Sequence, residues 1–336
     1  MPRPFFSLTA LTLAAAMFIT PIAPPAAAQD RGLGARDDAA PLTTNGMLDR
    51  KDDLSPDLFF RYWRDVHGPL AARIDGIHQY WQHRLDAPDP SLLPEAVTAA
   101  GIATDVTDAD RLEGIAETTF ASEADRVGLG SEPAAGQLFE DERNAFRATY
   151  LHGSVAGNTR TALDRIADPM PQGDDGTYRL QLLFRANEDG DRAAFQSHVT
   201  DTLTPALAAA DGALKVRTHL FEPYDPSGWD TPDVENDRTQ DQAFDAQIEL
   251  AFETRGAAEA ALAGAADALA RPNLIAGLHA YPVTEVFTQV YDGRPTLVGL
   301  RGYPIVEVIE ATGAENQTTL PVLRSITGAE TEEPAG

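Results

Sequence analysis

Cysteine is absent from all 336 residues. This excludes disulfides, thiolate nucleophiles and cysteine-ligated zinc or iron–sulfur centres, so the fold must be held by its core. Lysine is almost missing too: Lys51 and Lys215 are the only two, and arginine supplies the other basic residues. Asp and Glu number 52 against 26 Lys and Arg, for a formal charge of −26. So acidic a surface repels phosphate backbones and anionic lipid, which sets aside nucleic-acid binding. Metal-ligand spacings are also lacking. His78 and His83 are five apart in a strand-like stretch and would face opposite sides, and no His-x-x-x-His, Glu-x-x-His or calcium-loop pattern occurs. Glycine-rich phosphate loops and a Gly-x-Ser-x-Gly elbow do not occur either. No metal site and no cofactor are expected.

The ends read differently from the middle. Residues 1–28 have the form of a signal peptide: Arg3, an apolar stretch within Phe5–Ile22, and a small-residue cleavage site at Ala26–Ala28. The apolar run is too short to span a membrane. The expectation is an exported protein, periplasmic or secreted, with no membrane attachment after cleavage. Residues 29–45 look like a flexible leader, and residues 314–336 like a loose tail.

Aromatic residues make up only 7% of the chain, and the segment Phe59–Leu85 is rich in them. It recurs in degraded form: Pro69–Gly76 lines up with Pro205–Gly212, and in that register Phe59 meets Phe195 and His83 meets His219. Self-similarity at so long a period marks a duplicated unit. Elements expected in the first repeat (46–165) are a helix from Ser55-Pro56-Asp57, capped by the hydroxyl and started by the proline, and a strand over Ile77–Leu85. An insertion over Asp86–Asp110 (a loop with room for a short helix), a strand over Gly114–Ala121, a helix including Leu138–Phe146 and a strand over Arg147–His152 follow. Gly68-Pro69 should break or kink the first helix near His67. The first strand, around Thr43–Arg50, is short and polar. The second repeat (176–292) shows the same order more clearly, with an acidic insertion at Glu222–Gln242 matching that of the first. Residues 293–313 lie outside both repeats.

The pattern Tyr62-Trp63-x-x-x-His67-x-Pro69-Leu70, followed by Gly76 and a strand with Tyr80, resembles the EthD family of the dimeric α/β-barrel superfamily. The resemblance implies two fused α+β, ferredoxin-like (βαββαβ) domains that close an α/β barrel within one chain, and an enclosed space between their sheets. It also implies a monomer built as an internal pseudo-dimer, or a homodimer. By the same analogy the chain would be a cofactor-independent lyase or isomerase acting on a small apolar or aromatic molecule. A non-catalytic periplasmic binding or accessory protein is the alternative.

His67 is the first candidate for chemistry. At a helix end, sharing a face with Trp63, it could serve as general acid or base over an aromatic-lined cavity, or merely cap the helix before Pro69. Its counterpart in the second repeat is Leu203. Glu117 aligns with Glu249, which strand alternation turns away from Ile248, Leu250 and Phe252 and into the barrel. There its pKa would rise, as acid–base work requires, unless an arginine pairs with it. Tyr62, Trp63 and Tyr80 are candidate walls, or ordinary core; Tyr80 and Trp81 point oppositely and cannot both line one pocket. His83 and His219, present in both repeats, suggest a structural role.

Overall fold

The computed structural model describes residues 37–130, 133–319 and 322. The expected signal peptide, the first part of the expected leader (29–36) and most of the expected tail lie outside the described residues.

The first helix begins as expected. Ser55 Oγ accepts the Leu58 N–H (3.2 Å) ahead of α1 (Pro56–Tyr62). It does not break at Gly68-Pro69. A π turn, Trp63–His67, carries the chain into α2 (Gly68–Ala71), with the Gly68 N–H bonded to the Trp63 carbonyl. Pro69 has no N–H to offer the carbonyl one turn back, and widening the preceding turn accommodates the loss. The second repeat does the same at matching positions: Arg192–His198, a π turn Val199–Leu203, then Thr204–Ala208 containing Pro205.

In the first half, strands β1 (Leu42–Arg50), β2 (Ile77–Leu85), β3 (Gly114–Phe120) and β4 (Phe146–Ser154) pair in the order β4-β1-β3-β2, all antiparallel. After the short strands β5 (Thr159–Asp164) and β6 (Gln172–Gly173), the second half repeats this pattern. Its strands β7 (Tyr178–Ala186), β8 (Ala213–Leu220), β9 (Ala246–Phe252) and β10 (Ile275–Tyr291) pair as β10-β7-β9-β8. Each is the ferredoxin-like βαββαβ unit.

Closure uses the same device twice. β10 pairs with its own β7 up to Val283 and then with β2 of the first half, from Val283↔Leu85 to Val290↔Tyr80. β4 pairs with its own β1, turns at residues 155–158 and continues as β5 along β8, from Thr159↔His219 to Asp164↔Lys215. The last strand of each half therefore runs on to the second strand of the other. The protein is α+β, two ferredoxin-like units closed in one chain, and the shared seams leave few open edges.

One expectation is corrected here. The space between the sheets is filled. One part is apolar, packed with Met47, Trp81, Ile115, Tyr150, Leu183 and Tyr281. Another is a charge network around Glu117, Arg217, Lys215 and Glu249, with a gap of only about 20 Å³ beside it, room for roughly one water.

The two insertions are exchanged between the halves. Leu92, Leu93, Val97 and Ile102 from the first insertion complete the helix-side core of the second half. Trp229 and Val234 from the second insertion pack into the helix side of the first.

The leader boundary also moves. β1 starts at Leu42 and is hydrogen-bonded on both sides, with eight of its nine residues buried. Its polar residues are tolerated because the ladder satisfies its backbone and Asn45 donates to Gln247 (3.0 Å). Upstream, Asp37 pairs with Lys215 (3.1 Å) and Asp38 with Arg217 (2.6 Å). The segment after β10 forms helices Leu297–Arg301 and Tyr303–Thr312, which pack on the first half's helix layer: Arg73 donates to the carbonyls of Gly299 and Leu300. Among the described residues, no helix is long and apolar enough to cross a membrane.

Candidate functional site

A cavity of about 60 Å³ lies on the other side of the first sheet, between its strands and helices. Its floor is Gly46 on β1, Tyr80 on β2, Ala116 and Thr118 on β3, and Leu151 on β4; its roof is His67, Leu138, Glu142 and Trp229. Gly46 stands in mid-strand, where a side chain would normally help stability. A Cβ there would meet only ordinary contacts, with Ala116 Cβ at 3.5 Å and Leu151 Cδ1 at 3.7 Å. The missing side chain leaves the floor open, a frequent reason for glycine inside a strand.

His67 is the last residue of the π turn and is buried. Its Nδ1 lies 2.9 Å from Asp141 Oδ2, on α3 (Pro133–Ala145). The other oxygen of Asp141 accepts the Tyr62 hydroxyl, and Asn144 donates to the same hydroxyl (3.0 Å). Burial and the Asp141 carboxylate push the Tyr62 phenol up to about 12, so it stays a donor. With Nδ1 held by a carboxylate, Nε2 is the nitrogen left for a ligand.

The next residue on α3, Glu142, is the second ionisable group on the cavity. Both of its oxygens accept the Trp229 indole N–H (3.1 and 3.0 Å), and Thr231 donates its hydroxyl as well. Burial pushes its carboxyl above the ordinary range, against the opposing pull of His67 and these two donors. A buried carboxylic acid that keeps its proton can donate one. Tyr80, beneath them, takes a bond from Gln82 Nε2 (2.9 Å), and burial raises its phenol.

The structure thus divides the five residues singled out from sequence. His67 and Tyr80 line the cavity. Tyr62 stands behind it, bracing Asp141. Trp63 is core: fully buried among Phe59, Phe60, Phe146 and Phe287, it presses on Gly114 so closely that a Cβ there would fall 2.5 Å from its ring.

Glu117 is corrected outright. It does point into the barrel, but on the face of β3 opposite Ala116 and Thr118, away from His67. Its carboxyl is held well below the ordinary range. Burial alone would raise it, but the Arg217 guanidinium at 2.9 Å prevails, helped by His219 and His83, each 3.7 Å away. Glu249 is likewise paired, with Lys215 (3.1 Å) and Arg179 (3.5 Å). His219 reaches Thr159 on the neighbouring strand (3.2 Å). Its imidazole is depressed to about 4 by burial.

Asp141, Glu142 and Trp229 were missed in the sequence. One signal existed: Leu138, Glu142 and Ala145 follow helical spacing, which puts a carboxylate on an apolar face. Nothing local marks Trp229, which arrives from the other repeat.

Among known proteins, the EthD domain model matches residues 51–147. No curated protein matches the chain. Among solved structures, a "Putative monooxygenase" from Fusobacterium nucleatum subsp. nucleatum is 9% identical, with a TM-score of 0.47 over 76% of this chain and 97% of that one. An anthrone oxidase-like protein is 14% identical, with a TM-score of 0.47 over 75% and 94%. A dye-decolorizing protein from V. cholerae is 8% identical, with a TM-score of 0.40 over 73% and 94%. At such identities these likenesses say nothing of activity. Residues 51–147, which carry His67, Tyr80 and Asp141 together, are similar to the EthD domain.

Proposed function

We propose that the cavity beneath His67 binds a small, uncharged ring molecule and that His67 moves a proton on it. The reaction class is cofactor-independent lyase or isomerase chemistry. The observation that carries this reading is the pairing of two differently tuned groups on one apolar cavity. His67 is oriented by Asp141 and has Nε2 to offer, and Glu142 is a buried carboxyl pushed towards its neutral form. A base and an acid on the same wall can remove a proton at one atom and supply one at another. The apolar floor favours a ring. Only the first repeat has this equipment: Leu203 stands where His67 would be, and residues of the first insertion fill the corresponding helix-side core. Export through residues 1–28, to the periplasm or beyond, belongs to the same proposal and places the substrate outside the cytoplasm.

The test is proton exchange. Cyclic ketones with acidic C–H bonds, incubated with the protein in deuterated water, should exchange faster than in buffer. His67→Ala should lose about 10²–10⁴-fold of that acceleration while still binding the ketone in ligand-observed NMR. Binding without exchange by the wild type would remove the catalytic half of the proposal and leave a carrier of ring compounds.

A further inference from the structure

A second hollow, about 570 Å³, abuts the inner cavity between Glu123–Gly130 and Glu222–Trp229. The two share Thr44, Leu129, Leu151 and Trp229. The outer one is more polar, and Arg126 on the first half is paired with Glu222 on the second insertion beside it (2.7 Å). The volumes set a constraint. An apolar cavity of about 150 Å³ is the kind that holds benzene, and the inner cavity is about 60 Å³. A six-membered ring does not fit with the walls in place, and the outer hollow offers space behind the shared ones.

Thr44 and Leu151 sit on strands locked in the sheet, and Leu129 closes the helix Glu123–Gly128, its N–H on the carbonyls of Asp125 (3.2 Å) and Arg126 (3.3 Å). Trp229 is held differently. Its backbone is fixed: Asn236 Nδ2 donates to its carbonyl (2.5 Å) and to that of Pro226 (2.9 Å), and further along the loop the Glu235 N–H bonds the Arg147 carbonyl (2.9 Å). Its indole is held by the Glu142 carboxyl and the tilted ring of Phe139, 4.7 Å between centroids. Next to it, a Cβ on Gly228 would meet nothing within 4 Å. Trp229 is thus the shared wall whose side-chain rotation would join the two hollows with the loop backbone unmoved.

We propose that Trp229 is the partition and size filter of the site. A ring enters through the outer hollow, displaces the indole from Glu142 and lodges under His67, leaving a polar substituent near Arg126 and Ser227. The ligand class is therefore a single uncharged ring bearing a hydrogen-bonding group. This rests on the reading that the inner cavity is the ligand site.

Phenol and naphthol serve as probes, with association followed by stopped-flow fluorescence and affinity by NMR titration. Trp229→Ala should bind phenol faster and naphthol tighter, each by about tenfold or more, the scale on which an apolar pocket discriminates size. Trp229→Phe, which keeps a ring but loses the N–H, should fall between. Gly46→Val, or the gentler Gly46→Ala should the valine fail to fold, should weaken phenol binding in both backgrounds. If Trp229→Ala matches the wild type for both probes while the Gly46 variant loses phenol, the cavity stands and the partition is wrong. Should the Gly46 variant bind like the wild type, the probe sits elsewhere and both readings fall. They fall together, too, if neither wild type nor Trp229→Ala binds either probe.

Discussion

Asp141 Oδ2 stands 2.9 Å from His67 Nδ1, while Tyr62 donates its hydroxyl to the other oxygen of the same carboxylate. Asp141, braced by Tyr62 from another helix, thus favours one tautomer of the imidazole, with the proton on Nδ1. Asp141→Asn keeps the shape but turns one of the two accepting oxygens into a donor, so it can no longer serve both Tyr62 and the Nδ1–H. Nitrogen NMR of the His67 ring should show a single Nδ1–H tautomer in the wild type and a mixture, or the reverse, in the variant. Exchange activity should fall by about 100-fold. Tyr62→Phe should leave the tautomer intact and cost about 0.5–1.5 kcal/mol of stability, the loss of one hydrogen bond. An unchanged tautomer in Asp141→Asn would mean that Asp141 plays no orienting part.

Glu142 carries a pH signature of its own. Its folded-state pKa is raised by burial above the ordinary value of 4.5. The unfolded chain therefore releases this proton first as pH rises, and binds fewer protons than the folded one. Stability must fall as pH climbs from 4.5 towards the folded pKa. Glu142→Gln cannot ionise, yet it can still accept from Trp229. The stability difference between this variant and the wild type, measured by urea unfolding, should move in the variant's favour as pH rises from 4.5 to 7.5. A flat difference would show that Glu142 ionises normally in the fold.

Three buried histidines act in the opposite sense. Burial depresses His152 to about 3, and His219 and His279 to about 4, from an ordinary value of 6.5. His152 Nε2 accepts the Phe244 N–H (3.2 Å), a bond that protonation would break. Between pH 6.5 and 4 the unfolded chain binds protons that the folded one refuses. Stability should therefore decline as pH falls through that window, by several kcal/mol in order of magnitude for the three together. Urea midpoints taken across the window should trace the decline. His→Gln at each position in turn should make it shallower, and no change in any of the three would contradict the assignment.

How far the sequence reached follows from which contacts are local. The Phe59–Leu85 motif, the Ser55 cap and the repeat register are encoded in neighbouring residues, and α1, β2 and the βαββαβ order followed from them. Alternation along β9 correctly turned Glu249, and with it Glu117, into the barrel. It could not show that Arg217, a hundred residues away on β8, would meet Glu117 there and hold it ionised. The π turn escaped because Pro69 reads locally as a break, whereas a widened turn keeps the helix running. The cavity escaped for a similar reason. Its walls come from four strands, two helices and an insertion of the other repeat, and no stretch of sequence contains that arrangement.

Arg217 supplies the sharpest separation between architecture and chemistry. It is fully buried, with Nε on Glu117 (2.9 Å) and Nη1 on Asp38 (2.6 Å), and it joins the two halves across the barrel. Removing one member of such a pair strands the other charge in a dry interior, at a cost of about 3–5 kcal/mol; replacing both with apolar residues of similar size is often close to neutral. Arg217→Met alone should therefore lower stability by about that amount, and Glu117→Leu with Arg217→Met should recover most of it. Asp38 is partly exposed and can turn to water once Arg217 is gone, so it should not hold the double variant down. Because Glu117 lies on the face of β3 opposite the cavity floor, the double variant should bind phenol as the wild type does. Urea unfolding and an NMR titration on the same preparations decide it. Restored stability with lost phenol binding would return Glu117 to the functional site and place the ligand inside the barrel.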